Sequence, residues 1–306
     1  GDVYKRQAVM SVRAYMFCES AERIWSDRYF RHTDVPYPQR LSTLETHLHI
    51  PLSVYEALTQ PVSRRITAIA HRGASSYAPE NTFAAFDLAV EMDIEEIELD
   101  VQFTSDAHII VIHDETLDRT TDSAGPVSDL TLEEIQLLDA GSWFDEKFSD
   151  EKIPTLDEVF DRYKNEFQFH IEIKSKEAEG LASRVYDVIR SYGLAQQTTI
   201  TSFWKQWLIE SRRYAPEIPT GWLVPLGYET EWDDSIIEEA LQEGFTQICP
   251  RASLISTDLV RTLHDSGFNV RCWGVYNEEL MIKVAESGAD AMTLNFPDKL
   301  KTHYSG

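Results

Sequence analysis

From Ile66 onward, short apolar runs alternate with longer stretches whose apolar residues recur at helical spacing. The runs Thr67–Ala70, Ile94–Phe103, His108–His113, Gln168–Lys174, Thr198–Phe203, Thr220–Val224, Gln247–Pro250, Asn269–Val275 and Ala291–Leu294 read as strands. Between them, Asn81–Glu91, Thr155–Lys164, Glu177–Tyr192, Lys205–Tyr214, Asp234–Glu243, Thr257–Ser266 and Glu278–Ser287 read as helices. Strands alternating with helices of this length imply parallel β–α–β units. About eight such units, with one early hairpin-like addition, predict a (β/α)8 TIM barrel over residues 65–306. A doubly wound open sheet is the competing architecture. It usually carries a glycine-rich phosphate turn after its first strand, and none follows Ala70.

Two stretches depart from this rhythm. Residues 114–154 form a polar insertion with its own short helix, opened by Thr131-Leu132-Glu133-Glu134, in which a threonine side chain and a glutamate three residues on can cap each other's backbone. Residues 1–64 read as a helical and irregular N-terminal appendage: a helix over 9–30, then Pro36, Pro38, Pro51 and Pro61 breaking the chain, with a short helix over 52–58. His47 and His49 within it read as surface or packing residues rather than metal ligands.

With 306 residues, 42% hydrophobic and 26% charged, the chain is long enough for one large α/β domain. Its net charge of −24 excludes a nucleic-acid binder and a polybasic membrane-docking protein. An anionic substrate would need a locally cationic site. Leu226–Glu243, with seven acidic residues and no basic one, reads as a solvated face. Cys18, Cys249 and Cys272 are odd in number and far apart, which suggests reduced, buried thiols. No run of about 18 apolar residues is present, so no membrane span is expected. With no signal-peptide pattern, the chain as given reads as cytoplasmic, although Gly1–Gln7 do not read as a natural start.

The chemistry concentrates between Ile66 and Asp114. Side chains alternate across a strand, so Glu98 and Asp100 share one face while Ile97, Leu99 and Val101 take the other. Glu172 and Lys174 repeat the arrangement opposite Ile171 and Ile173. Barrel active sites lie at the carboxyl ends of the strands, where all four charged residues fall. Three converging carboxylates repel one another unless a cation neutralises them, and an all-oxygen set favours Mg²⁺ or Ca²⁺. The competing reading is that Glu98 and Asp100 merely pair with Arg72 and Lys174. His71 and His113, each closing an apolar run, suit proton transfer near neutral pH. Arg72 and Lys174 offer cations for a phosphate, unless Arg72 is tied to Glu80 or Asp114.

His71-Arg72-Gly73, Pro79-Glu80-Asn81-Thr82, Glu98-Leu99-Asp100-Val101, His113-Asp114 and Glu172-Ile173-Lys174 together resemble the glycerophosphodiester phosphodiesterase family. Leu117-Asp118-Arg119-Thr120-Thr121, the segment Leu138–Phe144, Ile153-Pro154-Thr155-Leu156, Ser202-Phe203 and Gly288-Ala289-Asp290 fit the same resemblance, which spans about 68–300. It implies a barrel binding one divalent metal through Glu98, Asp100 and Glu172. It implies His71 and His113 as the acid–base pair, Arg72 and Lys174 on the phosphate, and Glu80 and Trp273 on the substrate side. Gly274 stands where most members have threonine, and Thr293-Leu294-Asn295-Phe296-Pro297 departs from the family's usual closing motif. Both departures bear on substrate preference.

The expected function is metal-dependent hydrolysis of a small-molecule glycerophosphodiester to glycerol 3-phosphate and an alcohol, placing the chain in lipid and glycerol metabolism. One rival keeps the barrel but takes a lysophospholipid or sphingolipid, with Trp143, Phe144, Trp204, Trp207 and Trp232 as candidate lining of an apolar groove. The other is a phosphodiester-binding module without catalysis.

Overall fold

The structure is a computed structural model that describes residues 66–174, 179–225 and 232–305. The helices expected over 9–30 and 52–58, His47, His49, Cys18 and part of the acidic stretch lie outside the described residues.

Nine strands form one sheet: β1 Thr67–His71, β2 Glu96–Phe103, β3 Ile109–Val111, β4 Gln168–Ile173, β5 Thr198–Ser202, β6 Thr220–Leu223, β7 Gln247–Cys249, β8 Asn269–Val275 and β9 Ala291–Leu294. All but β3 pair in parallel, in the order β1-β9-β8-β7-β6-β5-β4-β2, and β1 pairs with β2. The ring therefore closes into an eight-stranded barrel, and the open-sheet alternative falls away. The outward residues Ile97, Leu99, Val101, Ile171, Ile173 and Ile200 are all fully buried against the helical shell. Each such burial contributes about 1.5–3 kcal/mol, which fixes strand register and so the direction of the alternate, polar side chains.

β2 is eight residues long and outruns β1. Its free edge beyond His71 is taken by antiparallel β3, with Val101 opposite Val111. The Ile112 amide then bonds the Asp100 carbonyl at 3.0 Å, which lands His113 at the barrel mouth. The insertion that follows buries its own cluster of Ile110, Ile112, Leu117, Val127, Ile135, Ala140 and Ile153.

The helices are α1 Phe83–Glu91, α2 Leu132–Ile135, α3 Leu156–Tyr163, α4 Leu181–Ser191, α5 Lys205–Tyr214, α6 Ser235–Glu243, α7 Thr257–Asp265, α8 Glu278–Ser287 and α9 Pro297–Ser305. Three differ from the sequence expectation for identifiable reasons. α1 starts two residues late because Asn81 sits at φ 58°, outside helical space, and Thr82 caps the helix. α4 follows Gly180, whose φ of 81° makes a left-handed entry. α9 carries no strong apolar periodicity and was not expected. It opens on Pro297, whose fixed φ suits a first helical position, and buries Leu300. Cys249 and Cys272 are buried and unpaired, as anticipated.

Candidate active site

The turn after β1 sets the geometry of the site. Arg72 adopts φ 59° and Gly73 φ 82°, and the Arg72 amide bonds the Glu98 carbonyl at 2.8 Å. A Cβ on Gly73 would lie 2.6 Å from the Ala85 carbonyl carbon, so the turn can press against α1 only because residue 73 is glycine. The chain returns with the Asn81 amide bonding the Arg72 carbonyl at 3.0 Å.

Within this frame Glu98, Asp100 and Glu172 converge, offering carboxylate oxygens that all lie within 4.8 Å of one another. The three residues are 2%, 0% and 6% exposed. Asp100 accepts a hydrogen bond from Asn81 Nδ2 at 3.0 Å and forms ion pairs with Arg72 Nε at 3.1 Å and Lys174 Nζ at 3.9 Å. Lys174 also reaches Glu172 at 3.0 Å. Burial alone would raise the Asp100 pKa, but Arg72 and Lys174 hold it down at about 2. Burial and the neighbouring carboxylates push Glu98 well above the usual carboxylate range, and burial raises Glu172 despite Lys174.

The ion-pair reading therefore accounts for Asp100 and not for Glu98, whose carboxylate pairs with neither Arg72 nor Lys174 among the described residues. Glu98 Oε2 and Asp100 Oδ1 are both buried without a hydrogen bond. Orphaned anionic oxygens cost several kcal/mol unless something neutralises them. An all-oxygen set of this kind fits a hard divalent cation, with identity open between Mg²⁺ and Ca²⁺.

Two histidines flank the cluster. His71 Nδ1 lies 2.6 Å from Asn295 Oδ1, and its Nε2 is 3.8 Å from Glu98 Oε2. Desolvation, reinforced by Arg72, lowers its pKa to about 3, so it is neutral near pH 7. His113 Nδ1 lies 2.5 Å from Asp114 Oδ1, and burial also lowers its pKa. In both rings an acceptor on Nδ1 favours the tautomer protonated there, leaving Nε2 as the proton acceptor. The amide of Gln102 pins the loop that carries His113, donating to the carbonyls of His113 at 3.0 Å and Asp114 at 2.5 Å.

Glu80 lies at the rim, accepting from Arg72 Nη1 at 2.7 Å and from Arg119 Nη1 and Nη2 at 2.7 and 2.8 Å. Trp273 stands on the β8 side of the mouth. Its ring meets Phe203 edge-on at 5.0 Å, and the Arg251 guanidinium lies 5.2 Å from it. Gly274 beside it has φ 73°, and a Cβ there would touch the Tyr276 ring at 3.4 Å. The five aromatics expected to line an apolar groove divide: Trp207 is buried in the helical shell, Trp232 is partly buried against the same core, Trp143 and Phe144 stack edge-on in the insertion, and Trp204 is exposed, bonding the Lys174 carbonyl.

Sequence reading named the carboxylates, both histidines, Arg72 and Lys174, and the structure brings all of them to the same mouth. It gave no role to Asn81, Arg119 or Asn295, and it considered Asp114 only as an ion-pair partner of Arg72, a place that Glu80 takes while Asp114 meets His113 and Arg119. Asn81, Asp114 and Arg119 lie inside the quoted motifs, so a signal was present for them. Asn295 meets His71 across 224 residues, and only barrel closure joins them.

The sequence matches the Glycerophosphoryl diester phosphodiesterase family over residues 71–299. It is 39% identical over 237 residues to the glycerophosphodiester phosphodiesterase of Caldanaerobacter subterraneus, covering 76% of this chain and 95% of that one. It is 34% identical over 258 residues to a Bacillus subtilis protein of the same name, covering 78% and 88%. Among solved structures it resembles an Oleispira antarctica phosphodiesterase bound to its product sn-glycerol 3-phosphate, with a TM-score of 0.72, 28% identity and coverage of 78% and 97%. The chain thus belongs to the glycerophosphoryl diester phosphodiesterase family.

Proposed function

We propose that the protein hydrolyses small glycerophosphodiesters to glycerol 3-phosphate and a free alcohol. The observation that carries this reading is the triad of buried carboxylates Glu98, Asp100 and Glu172, bordered by two cations and two tautomer-oriented histidines. The product complex of the Oleispira antarctica relative supports the same reaction class.

The three carboxylates would hold one divalent cation, which when bound supplies Lewis-acid stabilisation of charge on the phosphoryl oxygens. Arg72 and Lys174 bind and orient the phosphate, supplying the local positive charge that a protein of net charge −24 otherwise lacks. His71 and His113 move protons through Nε2: one ring, neutral, takes the proton of the attacking oxygen, and the other, first charged to imidazolium by a proton from solvent, gives that proton to the departing alcohol. Asp114 behind His113 stabilises the imidazolium form, which strengthens that ring as an acceptor, as a carboxylate does behind a catalytic histidine in serine hydrolases. Trp273 and Phe203 offer an aromatic wall at the mouth, with the Lys174 ammonium 5.8 Å from the Phe203 ring.

His113→Ala tests the acid–base assignment. It is expected to abolish turnover of glycerophosphocholine while leaving thermal unfolding and divalent-cation binding unchanged. A folded, cation-binding variant that still turns over at the wild-type rate would overturn the role given to His113.

A further inference from the structure

We propose that Arg119 is a positioning residue of the active site, coupling the phosphate-binding Arg72 to the proton-transferring His113. The inference rests on the reading of the site given above and adds to it a residue supplied by the insertion. Arg119 makes four hydrogen bonds to two carboxylates. Nη1 and Nη2 grip Glu80 at 2.7 and 2.8 Å, and Nε and Nη2 grip Asp114 at 2.7 and 3.0 Å. Each carboxylate then continues to a functional group. Glu80 Oε1 accepts from Arg72 Nη1 at 2.7 Å, and Asp114 Oδ1 faces His113 Nδ1 at 2.5 Å. The chain Arg72–Glu80–Arg119–Asp114–His113 is thus unbroken and alternates in charge as far as the imidazole.

The geometry suits positioning. A planar guanidinium offers two edges, and here each edge holds one carboxylate by two bonds, which fixes the plane of both acids. Asp114 is the immediate neighbour of His113 and about a quarter exposed, so nothing in the local backbone alone sets which way its oxygens face. With both oxygens held by Arg119, Oδ1 stays on the ring nitrogen. Hydrogen bonds from Arg119 are the largest cause holding the Asp114 carboxyl below its ordinary range, which keeps it anionic behind the ring. Glu80, gripped in the same way, fixes Arg72 from the side opposite Asp100, so the Arg72 fork is held between two anions.

Arg119 itself is 42% exposed, and exposed ion pairs contribute little to stability. A purely structural explanation therefore predicts little effect of its loss, whereas positioning predicts a catalytic one. The platform for Arg119 is the turn in which the Thr121 amide and hydroxyl both bond the Leu117 carbonyl, over the buried cluster of the insertion. The insertion thereby gains a task in the reaction: it delivers one guanidinium to the two acids.

The test uses Arg119→Ala and Arg119→Lys in the full chain. Loss of a supporting residue behind a catalytic group is expected to lower kcat/KM about 10- to 100-fold in Arg119→Ala, with divalent-cation binding unchanged. Arg119→Lys keeps the charge but not the two forks and should recover only part of the loss, and added guanidinium should restore part of it to Arg119→Ala. On an Asp114→Asn background, removing Arg119 should cost less than in the wild type, because only the Glu80–Arg72 branch is left to lose. Independently of turnover, the downfield proton resonance of the His113 Nδ1–H···Asp114 bond should shift or broaden in Arg119→Ala. Wild-type kcat/KM in Arg119→Ala, effects that add fully to those of Asp114→Asn, or an unmoved resonance would each overturn the proposal. If the wild type hydrolyses no glycerophosphodiester, the functional reading fails, and the resonance still decides whether Arg119 orients the Asp114–His113 pair.

Discussion

Asp114 and Asn295 occupy equivalent places behind the two histidines, yet one is a carboxylate and the other an amide. Only the carboxylate stabilises an imidazolium, so the rings are not interchangeable. Asp114→Asn is expected to lower kcat about 10- to 100-fold with KM little changed, because Asp114 supports the reacting ring and not the phosphate; steady-state kinetics on a glycerophosphodiester would show it. A fall in KM-dependent binding alone would contradict the role. Gly73 is a backbone requirement of a different kind. Gly73→Ala combines a left-handed φ with a contact against Ala85 and should cost about 3 kcal/mol in denaturant unfolding. At this scale much was legible from the sequence: Glu98 and Asp100, two apart on one strand, had to share a face. Which carboxylate met Arg72 was not, since Asp100 takes both cations and leaves Glu98 without them, an outcome set by strand register and the left-handed turn at Arg72.

Strands announced themselves at the scale of elements because their outward faces are aliphatic and fully buried, as Leu99 and Ile171 show. The helix ends were harder. Asn81 looks like a good first residue of α1, but its left-handed backbone hands the cap to Thr82. β3 was legible as a hairpin-like addition. Its consequence, an antiparallel return that lowers His113 onto the level of Asp100, depends on β2 outrunning β1 by several residues. The contact of Asn295 with His71 and that of Arg119 with Glu80 were opaque for the same reason: the partners are 224 and 39 residues away and become neighbours only when the barrel and insertion fold. α3 opens on the same Thr-x-x-Glu pattern as Thr131–Glu134, here Thr155-Leu156-Asp157-Glu158, and forms the box, with Thr155 Oγ1 accepting from the Glu158 amide at 3.1 Å and the Thr155 amide donating back to the Glu158 carboxylate at 2.8 Å. Thr155→Ala removes it and should cost about 1 kcal/mol, lowering Tm by about 2–4 °C for a domain of this size; no change in Tm would show the box to be idle.

For the barrel domain as a whole, a cation held as proposed by the three buried carboxylates would make stability responsive to divalent cations. A cation bound only by the folded protein at 100 times its Kd stabilises by about 2.7 kcal/mol. Thermal unfolding of the wild type should therefore move upward with Mg²⁺ or Ca²⁺, and Glu98→Gln should reduce the shift. No described helix is long and apolar enough to cross a membrane. The most direct measurement is the release of sn-glycerol 3-phosphate from glycerophosphocholine and glycerophosphoethanolamine with Mg²⁺ or Ca²⁺, before and after chelation. Release that stops with chelator and returns with added cation is the predicted result. Release indifferent to the chelator, or none from a folded protein with cation bound, would contradict a carboxylate-held cation serving diester hydrolysis at this site.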